Sequence, residues 1–279
     1  MPERPWKDEY TLLCERCGYV IEGLDSAGNC PECGKPIAES LPERRVGTPW
    51  QQSPGVGSLV RTWWMTLRHP LRTLDVMQVA SGKLRVLSWL TITVSSLTVS
   101  AGYVLPTLYM IYPQEALYLD KPAPSARWLG LLTIPIFAII PLVLLPILTW
   151  IETRGLVIIS RTRGFRVDRQ LARTITSHGC AGWLLLSILY MLFNNLGSVL
   201  IQLNTAMPEP LSEPTNAQAR VLEYIQIFGS HTPQWVYWVD RILWGTGVLI
   251  GFLFFFFETF AYLGLRRLKY ANRIRPNAS

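Results

Sequence analysis

WLGLLTIPIFAIIPLVLLPILTWI, residues 128–151, runs for twenty-four residues without a charged side chain. A bilayer's hydrocarbon core is about 30 Å thick, and a helix crosses it in about 20 apolar residues. A buried helix of a soluble domain is the competing reading of one such run. Three more windows of the same character, 86–105, 181–203 and 242–265, weigh against it. The sequence therefore predicts an all-α transmembrane bundle of four helices over 86–265, with the first span ending before Pro106. Pro135, Pro141 and Pro146 are expected to kink the second, and neighbouring helices can satisfy the carbonyls that prolines leave open.

The charges between these windows alternate. Eleven Lys and Arg precede the first span, two follow it, six lie between the second and third, two between the third and fourth, and five after the fourth. Basic segments stay on the cytoplasmic side, so both termini are placed there. This alternation also explains the overall charge. The chain has 279 residues, a net charge of +7, 49% hydrophobic and only 16% charged residues, with a mean hydropathy of +0.23. Its first fifty residues hold six Lys and Arg against nine Asp and Glu, and the remainder twenty against ten. Phosphate neutralisation needs clustered Lys and Arg, so the acidic head is not expected to bind nucleic acid. The opening residues show no signal-peptide pattern.

Trp128, Trp150, Trp183, Trp235, Trp238 and Trp244 fall near the expected span ends, where amphipathic rings favour the interface. Residues 43–85 read as a linker and an interfacial helix. Over Ser58–Leu74, Leu59, Trp63, Trp64, Leu67 and Leu71 recur at helical spacing against Arg61, Arg68 and Arg72. Such a helix either lies on anionic headgroups or packs on the bundle's cytoplasmic face, and Pro70 should restart it. Residues 266–279 form a basic tail.

The head, residues 1–42, carries the most specific chemistry. Cys14-Glu15-Arg16-Cys17-Gly18 and Cys30-Pro31-Glu32-Cys33-Gly34 are two Cys-x2-Cys pairs separated by twelve residues, a spacing that brings four thiolates to one tetrahedral ion. The glycine after each second cysteine suits a turn of positive φ, and Tyr19–Leu24 reads as a short strand. Two disulfides are a poor alternative in a reducing compartment. Four protein ligands leave no open position, so Zn2+ here is structural. Some forty residues bury too little to fold alone, so the metal is expected to contribute much of the head's folding free energy.

Cys14-x2-Cys17-Gly18-Tyr19, Glu22-Gly23-Leu24, Gly28, Cys30-Pro31-Glu32-Cys33-Gly34 and Pro36-Ile37 together resemble the short zinc ribbon that heads many uncharacterised bacterial multi-pass membrane proteins. That resemblance implies a small β zinc ribbon and a bacterial cytoplasmic membrane. The knuckles also look like those of rubredoxins, which would make iron the rival metal, although rubredoxins separate their pairs by a longer stretch. The body is loosely similar to Yip-family membrane domains, with Leu67-Arg68-His69-Pro70 before the first span. Neither resemblance implies a catalytic residue.

Polar groups inside spans are candidates for function. Glu258, in the fourth span, is either a proton or ion ligand, or a carboxylate near the cytoplasmic edge that is paired with Arg266 or Arg154 or simply protonated. Asn194 and Asn195, in the third span, either bind a substrate or join helices by hydrogen bonds. His69, His178 and His231 lie in separate segments, and no nucleophile elbow or phosphate-binding glycine loop is present. The sequence thus points to a non-enzymatic integral membrane protein. Its zinc ribbon either engages a cytoplasmic protein partner or self-associates, or it organises the membrane face. A small transporter or channel using Glu258 is the alternative.

Overall fold

The computed structural model describes residues 8–79, 83–117, 124–206 and 255–274, with backbone alone over 104–117, 124–138 and 196–206. It is mostly helical. Five short and long helices precede the centre of the chain: α1 (Pro49–Gln52), α2 (Val56–Arg68), α3 (Pro70–Val76), α4 (Leu84–Leu117) and α5 (Pro124–Thr162). They are followed by α6 (Arg169–Gly179) and α7 (Ala181–Ala206), and a final helix is described over 255–267. Three segments, Leu84–Tyr103, Ile139–Thr162 and Arg169–Asn195, are long and apolar enough to cross a membrane. The expected span 181–203 coincides with α7. Of the expected span 242–265, residues 242–254 lie outside the described residues, as do the outer-loop tryptophans.

Two helices are longer than the apolar windows. α4 continues through Pro106 to Leu117 instead of ending before it, and α5 runs through its three prolines to Thr162. At 1.5 Å per residue, α5 is about 58 Å long, roughly twice the hydrocarbon thickness. Hydropathy locates what must avoid water, not where a helix stops. Beyond Ile151, α5 enters a second core. There Leu156 and Val157 pack with Leu74 of α3 and Met77 just after it, Leu171 and Ile175 from α6, and Phe260, Leu265 and Leu268 from the final helix and its end. The segment between α5 and α6 and the start of the basic tail contribute Val167, Leu268 and Ala271 to this core.

Within the apolar layer, Ile92, Leu145, Cys180, Trp183, Leu186 and Phe257 form the core. Trp183 does not sit at the interface as expected. It is 4% exposed, stacks on Phe257 at 4.6 Å, and donates its indole N–H to Thr149 Oγ1 at 3.1 Å. The many hydroxyls of α4 are satisfied locally. Thr91, Ser95, Ser96, Thr98 and Ser100 each donate to the carbonyl four residues earlier, which lets a Ser/Thr-rich helix tolerate an apolar surround. At Gly102 a Cβ would lie 2.8 Å from Met191 Cα, so glycine permits close approach of α4 and α7. The other side of α5 exposes Ile140, Val143, Leu144 and Ile147, the surface that lipid would cover.

The expected Ser58–Leu74 helix breaks where predicted, α2 ending at Arg68 and α3 beginning with Pro70. Of the two expected placements, packing on the bundle is the one observed. Leu59 and Trp63 face inward onto Trp50, Leu84 and Leu87, and Trp63 donates to Thr91 Oγ1 at 2.9 Å. Trp64, 62% exposed, faces outward, with the Arg68 guanidinium 5.5 Å over its ring. The preceding segment is not a free linker. Arg45, Thr48, Trp50 and Gln51 are buried, and Thr48 and Gln51 form a capping box at α1.

Candidate metal centre

The head folds around its cysteines through two copies of one device. Gly18 N donates to Cys14 O at 2.8 Å, and sixteen positions later Gly34 N donates to Cys30 O at 2.9 Å. Cys14 N donates to Tyr19 O and Cys30 N to Lys35 O, both at 2.8 Å. Gly18 and Gly34 have φ of +86° and +70°, the conformation that only glycine adopts without strain. Each copy closes with one antiparallel bridge, Leu13 with Val20 and Asn29 with Pro36. These isolated bridges replace the expected strand: the chain turns over 22–28, leaving no length for a ladder. Ile21 and Ile37, again sixteen apart, are buried against Cys14 and Cys30.

This pseudo-twofold arrangement converges the four sulfurs. Cys14 Sγ lies 3.4 Å from Cys33 Sγ and Cys17 Sγ lies 3.6 Å from Cys30 Sγ, and all four sit within 4.8 Å of one another. A tetrahedral ion with bonds of about 2.3 Å requires sulfurs about 3.8 Å apart, which these separations bracket. They exceed a disulfide bond of about 2.05 Å, and all four cysteines are free. The tetrad therefore fits a metal ion, and Cys14, Cys17, Cys30 and Cys33 are the residues that would hold it. Burial acts to raise the Cys14 thiol, but backbone N–H groups of Cys17 and Arg16, with Cys33, outweigh it and lower the pKa from 9.0 to about 7. At Cys17 burial prevails and the thiol is raised. Ion uptake must therefore displace protons.

The sequence gives no hint of where the head goes; the structure docks it on the chain's far end. Asn272, fully buried, accepts from Leu13 N at 2.9 Å and donates its Nδ2 to Leu13 O at 2.7 Å and Ser40 O at 2.6 Å. Tyr270 covers the first knuckle so closely that a Cβ on Gly18 would meet its ring at 2.8 Å. Glu15, between the first two cysteines, takes a two-pronged bond from Arg45, Nη2 lying 3.0 and 2.9 Å from its carboxylate oxygens. Arg45 Nη1 then donates to Leu74 O at 2.8 Å, where the last carbonyls of α3 favour a cation. Arg273 pairs with Glu9 at 2.7 Å and with Asp168, the N-cap of α6, at 2.5 Å. Every link joins residues at least twenty-nine positions apart, so no local pattern marks them.

The intramembrane candidates do not form one site. Asn194 donates to Gly102 O of α4 at 2.6 Å, and Asn195 donates to Met191 O of its own helix at 2.7 Å. Glu258 lies beside Phe256 and Phe257, which pack on Gly182 and Gly179. It is therefore near the start of α7, about 18 Å of helix rise from Asn194. Neither expected arginine pairs with it: Arg154 lies over Trp150 and Arg266 over Tyr262. The group that neighbours it is the Glu152 carboxyl of α5, a residue the sequence reading did not single out. His178 is buried between Thr48 Oγ1 at 3.1 Å and Thr174 O at 2.8 Å, a structural role. No family model matches the chain, and neither does any curated protein or solved structure.

Proposed function

We propose that the chain is a non-enzymatic integral membrane protein of four spans, both termini cytoplasmic, whose structural zinc ribbon is an intramolecular clamp. The ribbon ties the cytoplasmic ends of α3, α6 and the final helix into one rigid platform, a membrane-organising role. Zinc is the metal because four thiolates without an open position suit a redox-inert tetrahedral ion. The observation that carries the reading is Asn272, buried with its amide spent on Leu13 and Ser40 of the head. A module built to swing out toward partners would not bury its docking bonds so completely. A cytoplasmic partner or a second copy would meet the finished platform, not a detached head. The resemblance to ribbon-headed bacterial membrane proteins supports this reading, in which the membrane is the bacterial cytoplasmic one.

The test is metal removal in the full chain. Chelation, or Cys17→Ser, should raise amide exchange in residues 268–274 and in α6 as well as in the head, because the clamp is lost. Exchange that rises in the head alone would overturn the clamp. A second reading, proton-coupled transport, draws only on the juxtaposed Glu152 and Glu258 carboxyls. Liposome flux abolished by Glu258→Gln would support it, and the absence of any proton-dependent flux would dismiss it.

A further inference from the structure

The ribbon and the end of the final helix do not close flush against each other. Between them lies a cleft of about 460 Å³. Its walls carry seven Lys and Arg side chains and three carboxylates. The carboxylates are already claimed: Glu15 by Arg45 at 2.9 Å, Asp75 by Arg267 at 2.6 Å, and Glu39 by Arg44 at 3.8 Å. Four cations remain. Among the described residues Arg16, Arg266 and Lys269 make no ion pair, and Lys35 reaches only the edge of the occupied Glu15, at 4.0 Å.

Two of these cations come from the head and two from the last turn of the final helix and the residues after it, so the excess charge converges only because the head is docked. Arg266 and Lys269 are held by aromatic faces, Arg266 over Tyr262 at 5.8 Å and Lys269 over Tyr270 at 5.2 Å. Each ring fixes its cation without neutralising it. Like charges brought together cost free energy unless an anion joins them. A cleft of this size admits a group with more than one phosphate. It also lies where an apolar helix emerges, the setting in which basic pockets take anionic headgroups.

We propose that this cleft binds a ligand bearing clustered phosphates through Arg16, Lys35, Arg266 and Lys269. The proposal depends on the docked-head reading given above. The phosphates can come from a diphosphate lipid headgroup of the bilayer or from a soluble polyphosphate. The zinc-loaded full chain is assayed in two arms. In one, native mass spectrometry from nanodiscs counts retained cardiolipin against phosphatidylcholine. In the other, inorganic pyrophosphate is titrated against a sulfate control. Cardiolipin retained without pyrophosphate binding identifies a headgroup site; the reverse identifies a soluble ligand; pyrophosphate displacing cardiolipin identifies one site serving both.

Lys35→Gln/Arg266→Gln should weaken binding by about tenfold or more while keeping one zinc per chain, since the knuckle uses only the backbone carbonyl of Lys35 and neither side chain contacts the cysteines or Asn272. Arg44→Gln, whose charge Glu39 already balances, should change binding by less than about threefold. Equal binding by the double variant and the parent chain would overturn the proposal, as would no preference over both controls. If the clamp failed but the cleft did not, exchange in 268–274 would be insensitive to chelation while the double variant still lost binding.

Discussion

Replacing Asn272 with alanine should free the ribbon from the body without touching a cysteine. The substitution removes one acceptor and two donors, leaving Leu13 N–H, Leu13 O and Ser40 O facing a buried gap; their bonds were 2.9, 2.7 and 2.6 Å. A buried polar group left unpaired costs about 1–3 kcal/mol. Water entering the gap the side chain leaves can satisfy part of the three, so the net loss should be about 3 kcal/mol. Because 1.4 kcal/mol is a factor of ten, local opening of the head should become roughly 150-fold more frequent. Amide exchange of Cys14 and Ile21, whose N–H groups donate to Tyr19 O and Leu12 O within the head, reads that frequency directly. Asn272→Asp should be worse than alanine: it also loses both donors, and it adds a carboxylate close to Glu15, whose Oε1 lies 3.5 Å from the backbone N of residue 272. Exchange in the head unchanged by either variant, or aspartate milder than alanine, would refute the clamp.

Purified chain should carry one zinc and be colourless, and Cys30→Ser should abolish the metal as measured by elemental analysis; a reddish ferric-thiolate spectrum would replace zinc by iron. Burial acts to raise the Asp168 carboxyl, but Arg273 and the N–H of Leu171 outweigh it and hold its pKa below the usual range. Its stabilising contribution is therefore present above the unfolded value of about 3.9 and is lost as pH falls through the lower folded value. Thermal unfolding of Asp168→Asn should thus trail the parent near neutral pH and converge with it in acid; a constant gap would contradict this. Trp183→Phe keeps an aromatic ring on Phe257 but leaves Thr149 without its indole donor, and should cost about 1 kcal/mol in stability. Trp183→Ala opens a core cavity and should cost about 3–5 kcal/mol by chemical unfolding. Equal effects would mean that the stacking contributes nothing.

The cysteine tetrad and the apolar spans were legible because both are local signals. Two Cys-x2-Cys pairs, each followed by glycine, prescribe sulfur geometry within a few residues, and α7 begins at the residue where its apolar window begins. Even there a stronger signal went unused: Cys14, Cys17, Gly18 and Ile21 recur as Cys30, Cys33, Gly34 and Ile37, a repeat of sixteen that announces the twofold site. Helix ends were less legible: α4 continues past Pro106, and α5 outruns its apolar window where Leu156 and Val157 are buried in a tertiary core.

By itself, then, the sequence determined the four cysteines that could hold a metal ion, the restart at Pro70, the apolar spans and the alternating charge. Each follows from spacing, from the fixed φ of proline, or from the cost of putting charge into hydrocarbon. Only the tertiary structure decided that Trp183 turns inward, that Glu258 meets Glu152 instead of an arginine, and that Asn272 receives the head. Those outcomes depend on which surfaces meet after the chain has crossed back on itself. The pairing of residues 13 and 272 brings together positions 259 apart, and no periodicity reaches that far.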